Sequence, residues 1–349
     1  MEDLSYEQLM MIAHEGLIRR AAEIDLPLML KGSYVTRQYF PNPANRTPAD
    51  LDWVYLNPIN DVETATTVFN DCMFRITELE LNDGISFKSF RQNQFWRRID
   101  YAMADDFPTV NTDLECWING KKVEFGLDIS FNLKMDETPI PLKYYPILGK
   151  PFIVPYSVPL SLQVSWKIHQ TIVRPRFKDL FDLIYLVQHP DFDRETLLAT
   201  KKELINECIA DNLDLHLLNT FFHYDIEDLF RDNSINYTWQ YWRHGIRPEE
   251  NWKRGLLWNQ ANEITNPEKL PFELSDFLAQ FKEALESKGL DPQLISDLNI
   301  PYVRKEPEPE IEPLPEPKEK VREYLGQRSY YWPVERKLTF WERLLRRFR

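Results

Sequence analysis

The dipeptide Asn119-Gly120 separates two strand-like runs, 114–118 and 121–131. Both central positions of a two-residue type I′ turn need positive φ, which Asn and Gly tolerate, so the spacing predicts a tight β-hairpin. Along the second arm Val123, Phe125, Leu127, Ile129 and Phe131 share one face, leaving Glu124, Gly126, Asp128 and Ser130 on the other. The apolar face belongs to a core, and the opposite face can open into a cleft.

Other elements follow from local signals. Ser5 and Gln8 form a capping box, with Leu4 and Leu9 as its hydrophobic staple, and Leu9, Ile12, Ala13, Leu17 and Ala21 continue a helical stripe. Residues 28–31 and 51–56 read as strands, and 62–79 as a helix capped by Asp61. From about 158 to 292 the pattern is mainly helical, with stripes at Phe177, Leu180, Phe181, Ile184, Val187 and at Leu274, Phe277, Leu278, Phe281, Ala284, Leu285. The expected class is α+β: a mixed sheet with helices, followed by a helical domain.

Composition narrows the function. A chain of 349 residues with 43% apolar content can bury one or two cores, and a net charge of −13 disfavours a protein that coats a nucleic acid. Only ten glycines are present, with no GxGxxG or GxxxxGK[ST] string, so Rossmann and P-loop readings are excluded. Cys72, Cys116 and Cys208 have no paired or CxxC spacing and read as core residues. The six histidines form neither HExxH nor a Ser-His-Asp order, and His169 and His189 read as helix-surface residues. No apolar run is long enough to span a bilayer and the first residues lack a secretion-signal layout, so the expectation is a soluble, cytoplasmic protein without a transmembrane segment.

The sharpest composition break is 301–320, with six Pro and six Glu, a pattern that favours an extended spacer. Beyond it, 328–349 carries seven cations against two acids, with Trp341, Leu344, Leu345 and Phe348 at helical spacing. The expected organisation is an α/β domain over 1–155, a helical domain over 156–300 that completes the site, a linker over 301–327 and a basic amphipathic helix over 328–349. That helix either docks on a partner protein or anionic surface or folds back on the acidic body.

Asp50-Leu51-Asp52 offers two carboxylates on one strand face, able to grip a hard divalent cation together, although solvated turn aspartates look the same in sequence. Lys31-Gly32-Ser33 directly follows the strand residues Leu28-Met29-Leu30: Gly permits close backbone approach, and the Ser hydroxyl with helix-start N–H groups can hold phosphate oxygens. Asp128, on the cleft-side face of its strand, supplies a third carboxylate. Three aspartates from neighbouring strands suit a two-metal phosphoryl-type displacement and suggest nucleotidyl transfer.

The string Leu30-Lys31-Gly32-Ser33, with Arg46-Thr47 and Asp50-Leu51-Asp52, resembles the nucleotide-binding motif of the AbiEii-type nucleotidyltransferases, toxins of type IV toxin–antitoxin and phage-defence systems in the DNA polymerase β-like superfamily. Lys167, Arg174, Lys178, Asp179 and Asp182 resemble that family's second, helical motif. Three departures stand out: Lys31 replaces a first glycine, the hydroxyl residue after Arg46 falls one position early as Thr47, and Lys178 replaces an Arg, losing the planar fork. The likeness spans roughly 10–190.

It implies catalytic and metal-holding Asp50, Asp52 and Asp128, and nucleotide-binding Gly32, Ser33, Lys167, Arg174, Lys178 and Asp182. Two Mg²⁺ ions would be the cofactors and an NTP the substrate, its NMP passing to an acceptor hydroxyl on a tRNA end or a protein. A cognate antitoxin is the implied partner. From the residues alone, the acids of the second motif serve instead to orient its basic side chains and close the interface between the two domains, the role favoured for Asp182. Residues 237–258 interleave aromatics with cations, either to stack a nucleic-acid strand or to anchor the helical core; Lys88, Arg91, Arg97 and Arg98 around Phe95 and Trp96 offer a similar basic rim. The alternatives are an antibiotic-type nucleotidyltransferase and a non-catalytic nucleotide-sensing scaffold acting through its C-terminal helix.

Overall fold

The computed structural model describes residues 4–99, 108–230, 235–244, 264 and 269–300. Helix α1 (Tyr6–Glu23) begins at the expected capping box: the Ser5 hydroxyl accepts from the Gln8 N–H, and the Gln8 side chain accepts from the Ser5 N–H at 2.9 Å. Strand β1 (Leu28–Lys31) leads through Gly32 into the short helix α2 (Ser33–Thr36). Strand β2 (Leu51–Tyr55) precedes helix α3 (Val62–Glu78), whose cap Asp61 accepts from the Thr64 N–H at 2.8 Å.

Strands β3 (Ile85–Phe87) and β4 (Arg97–Ile99) are short. The hairpin is the longest strand pair, β5 (Thr109–Ile118) with β6 (Lys121–Phe131). Asn119 and Gly120 both take positive φ, +50° and +81°, as the type I′ turn requires. Strand β5 starts five residues earlier than its apolar alternation indicates, because Thr109, Asn111 and Asp113 extend the ladder without continuing that alternation. Strands β7 (Ile140–Tyr144) and β8 (Phe152–Ser157) complete the sheet.

Among the described residues the sheet has eight strands, in the order β3-β5-β6-β2-β1-β8-β7 with β4 also paired to β5. It is mixed: β2 runs parallel to β6 and β1 to β8, while the other pairs are antiparallel. The apolar face of β6 is the core face; the rings of His14 on α1 and Phe69 on α3 meet Phe125 and Phe131 there. Val123, Phe125, Leu127, Ile129 and Phe131 are all buried, and side chains of this kind stabilise by about 1.5–3 kcal/mol each when fully buried.

Strand β8 runs through the anticipated boundary at 155/156, and its last residue, Ser157, pairs with Leu30 of β1. The helices that follow grow directly from the sheet: α4 (Leu160–Val173), α5 (Phe177–Gln188), α6 (Arg194–Ala210), α7 (His216–Phe222), α8 (Ile226–Phe230), α9 (Ile235–His244) and α10 (Leu274–Glu286). Trp239 and Trp242 of α9 are fully buried beside Phe177 and Phe277, with Trp239 stacked on Phe277 at 4.6 Å. These two tryptophans therefore anchor a helical core. The other aromatic side chains of 237–258 lie outside the described residues, as do 301–349, where the sequence leads one to expect a linker and a basic helix.

His169 corrects an expectation: it is fully buried, with Nε2 2.9 Å from Asp211 Oδ2, and burial pushes its pKa down to about 4. All three cysteines are buried, as their scattered spacing suggested. Among the described residues no helix is long and apolar enough to cross a membrane.

Candidate functional site

Gly32 sits at the end of β1 with φ +71° and ψ −149°, a conformation open essentially to glycine alone. A Cβ there would stand 2.5 Å from Asp52 Oδ2, so the Asp52 carboxylate packs against the bare Cα of the turn. Gln163 of α4 holds the turn from the other side, donating to Thr36 Oγ1 at 2.8 Å and to the Gly32 carbonyl at 3.4 Å. Within this fixed turn Ser33 Oγ is buried and, among the described residues, has no hydrogen-bond partner.

Asp52 and Asp128 are register partners across the parallel β2/β6 ladder, which puts both side chains on the same sheet face in adjacent strands. On the far side of Asp52, register pairs it with Lys31, whose Nζ lies 3.5 Å from Asp52 Oδ1. Asp128 is buried and accepts from Asn111 Nδ2 at 2.5 Å. Gly32, Ser33, Asp52 and Asp128 are thus gathered around the β1/β2/β6 strip. Asp50 is not on the strand: it is exposed, one residue before β2. Among the described residues no group of three His, Cys, Asp or Glu side chains is arranged to hold a metal ion. Two carboxylates on one sheet face are the number that a Mg²⁺ ion commonly takes from protein, its remaining oxygens coming from water and substrate phosphates.

The second motif forms a buried ionic network. Asp182 on α5 accepts from Arg46 Nε at 2.8 Å and Nη2 at 3.2 Å, and lies 2.9 Å from Lys167 Nζ on α4. Asp179 accepts from Lys167 at 2.7 Å and from Arg176 at 2.6 Å. Burial acts to raise the Asp179 pKa, but Lys167, Arg176 and Lys178 outweigh it and hold the carboxyl well below the usual range. Burial likewise acts to lower the Lys167 pKa, and Asp179 and Asp182 overcome it and keep the ammonium charged.

The network ties the loop that leads into β2 to the helical part. Lys167 is one of its buried members, and Asp182 meets both Arg46 and Lys167. Arg174 is exposed at the end of α4, and Lys178 is partly exposed on α5.

Two features lay beyond the motifs. Asn111 has no family motif to mark it, yet counting outward from the Asn119-Gly120 turn sets it opposite Asp128. Lys31 was visible only as a replaced glycine. The basic rim is charge-balanced: Lys88 pairs with Glu115 at 2.8 Å, Arg91 with Glu78 at 2.9 Å, and Arg97 with Asp113. The Arg98 side chain is outside the description.

No family model and no curated protein matches the chain. Among solved structures it is similar to a candidate nucleotidyltransferase from H. pylori, at 20% identity over 65% of this chain and 92% of that one, with a TM-score of 0.34. It is also similar to JHP933 from Helicobacter pylori, at 15% identity over 85% of this chain and 100% of that one, TM-score 0.37. A third is MenT4, the nucleotidyltransferase toxin Rv2826c from Mycobacterium tuberculosis, at 11% identity over 83% of this chain and 87% of that one, TM-score 0.47.

Proposed function

We propose that this protein is a nucleotidyltransferase of polymerase β-like architecture that moves a nucleoside monophosphate from an NTP to an acceptor hydroxyl. One observation carries the reading: a glycine-serine turn, whose buried hydroxyl has no partner among the described residues, packs its bare Cα against the first of two carboxylates that are register neighbours.

Gly32 lets the Asp52 carboxylate close on the turn, and Ser33 Oγ donates to a phosphate oxygen. Asp52 and Asp128 are the residues to hold Mg²⁺, with Asp50 at the margin; when bound, the ion neutralises charge building on the phosphates. Asp128 takes the proton of the acceptor hydroxyl. That oxygen bonds to the α-phosphorus, the bond from the α-phosphorus to the bridging oxygen breaks, and its electron pair leaves with pyrophosphate. Arg174 and Lys178, less enclosed than Lys167, attract the triphosphate, while the network around Asp182 fixes the loop before Asp50.

The test is transfer of label from each α-labelled NTP, with Mg²⁺, to total RNA or to protein extract. Wild type transfers label and Asp52→Ala does not; no transfer by wild type with any NTP, metal or acceptor would sink the proposal. A tRNA end as acceptor and a toxin role with a cognate antitoxin rest on the motif resemblance, and they predict growth arrest on expression that Asp52→Ala relieves.

A further inference from the structure

One cross-sheet row contains more than the two carboxylates. Arg97 of β4 pairs in register with Asn111 of β5, Asn111 with Asp128 of β6, Asp128 with Asp52 of β2, and Asp52 with Lys31 of β1. We propose that Asn111, held by Arg97, is a positioning residue that sets the orientation of the Asp128 carboxylate. This rests on the nucleotidyl-transfer reading.

The chemistry of the partners fixes the amide. A guanidinium only donates and a carboxylate only accepts, so Oδ1 of Asn111 must face Arg97 and Nδ2 must face Asp128. Arg97 Nε donates to Asn111 Oδ1 at 3.0 Å. Asn111 Nδ2 donates to Asp128 Oδ1 at 2.5 Å and to the Leu127 carbonyl at 3.2 Å, which uses both amide hydrogens. Asp113, two residues along β5, also binds Arg97 and steadies the guanidinium.

The facing strand is built around this amide. Gly126 pairs with Asp113, and a Cβ at Gly126 would come within 3.3 Å of Asn111 Nδ2. A glycine inside a strand marks close approach, and here the approaching group is the amide itself. With one oxygen of Asp128 fixed, the carboxylate keeps one orientation as the acceptor hydroxyl arrives. Partners that orient a metal-holding or proton-accepting group commonly matter by about 10–100-fold in affinity or activity.

The test compares full-length wild type, Asn111→Ala, Asn111→Asp, Arg97→Gln and Asp128→Ala in two assays: label transfer, and calorimetric binding of Mn²⁺ alone. For Asn111→Ala we expect kcat to fall about 10–100-fold, with KM for the NTP within about twofold, and Mn²⁺ affinity to drop by a similar factor. Asn111→Asp sets a second carboxylate against Asp128 and loses more activity; Arg97→Gln loses less than Asn111→Ala. A purely structural role moves the melting temperature without splitting kcat from KM.

Wild-type kcat and Mn²⁺ affinity in a folded Asn111→Ala, where Asp128→Ala loses both, overturn the proposal. If Asn111→Ala does not fold, Arg97→Gln decides in its place, an unchanged kcat and Mn²⁺ affinity counting against. Absence of transfer by wild type would instead reject the nucleotidyl-transfer reading. In that case the Mn²⁺ titrations still judge the link between Asn111 and Asp128, a drop in Asn111→Ala supporting it and no drop refuting it.

Discussion

Gly32 concentrates two constraints on one Cα. Its φ of +71° is costly for any L side chain, and a Cβ would meet Asp52 Oδ2 at 2.5 Å. Strain of this kind costs about 1–3 kcal/mol before any clash is counted. Gly32→Ala should therefore lower the urea midpoint and, by displacing Asp52, remove NTP-dependent thermal protection. Full protection by NTP in a folded Gly32→Ala would separate the turn from phosphate binding. His14 gives a second residue-scale test. Its Nδ1 lies 2.6 Å from Tyr34 Oη in the core, and burial pushes its pKa down to about 3 from the ordinary 6.5. The unfolded chain binds a proton at His14 throughout that interval and the folded chain does not, so stability rises with pH across it. One such group contributes a slope of up to about 1.4 kcal/mol per pH unit, fading above about pH 6.5. Urea titrations of His14→Gln should show a flatter pH dependence between about pH 4 and 6 than wild type; parallel curves would mean that His14 is protonated in the fold.

At the scale of elements, the join between sheet and helices is electrostatic as well as apolar. Arg46 reaches from the loop before β2 to Asp182 on α5, and Lys167 on α4 bridges Asp179 and Asp182. Removing one partner from such a buried set strands the others without solvent, at a cost of about 3–5 kcal/mol. Asp182→Ala should lose stability on that scale, measured by urea unfolding, while Arg46→Met with Asp182→Leu should lose less than the two single changes added together. Additive losses would show that Arg46 and Asp182 are not coupled. The same elements show what a sequence discloses. The type I′ turn at Asn119-Gly120 fixes hairpin register, so Asn111 falls opposite Asp128 once β5 reaches back past Leu114, an extension that its apolar alternation did not show. The Ser5–Gln8 box and the Asp61 cap are short-range hydrogen bonds and were equally legible. Burial of Lys167 and His169 was not, because a polar residue on a helix looks solvent-facing until a charge partner distant in sequence, such as Arg46 for Asp182, or another helix covers it. Whether β2 includes Asp50 depends on where its neighbours stop, which no local pattern encodes.

For the whole molecule the decisive quantity is charge. The chain carries 42 cations and 55 acids, and several described surface cations are already paired, Lys88 with Glu115, Arg91 with Glu78, Lys201 with Asp297 and Lys202 with Asp136. If RNA is the acceptor, such a body would attract it only over a small footprint, since a long phosphate track would meet net negative charge. Each phosphate contact to a single strand contributes about −0.7 to the slope of log affinity against log salt. With two or three contacts, transfer of label to RNA should weaken with a slope of about −1.5 to −2 when followed as 1/KM for RNA over about 50–200 mM salt. KM for the NTP, measured with a neutral hydroxyl acceptor over the same range, reports the salt sensitivity of triphosphate binding separately. A slope steeper than about −5 would require a broad basic surface that this composition opposes. A slope near zero with RNA turnover intact would show that phosphates of the acceptor are not held at all, and would direct the search to protein or small-molecule hydroxyls.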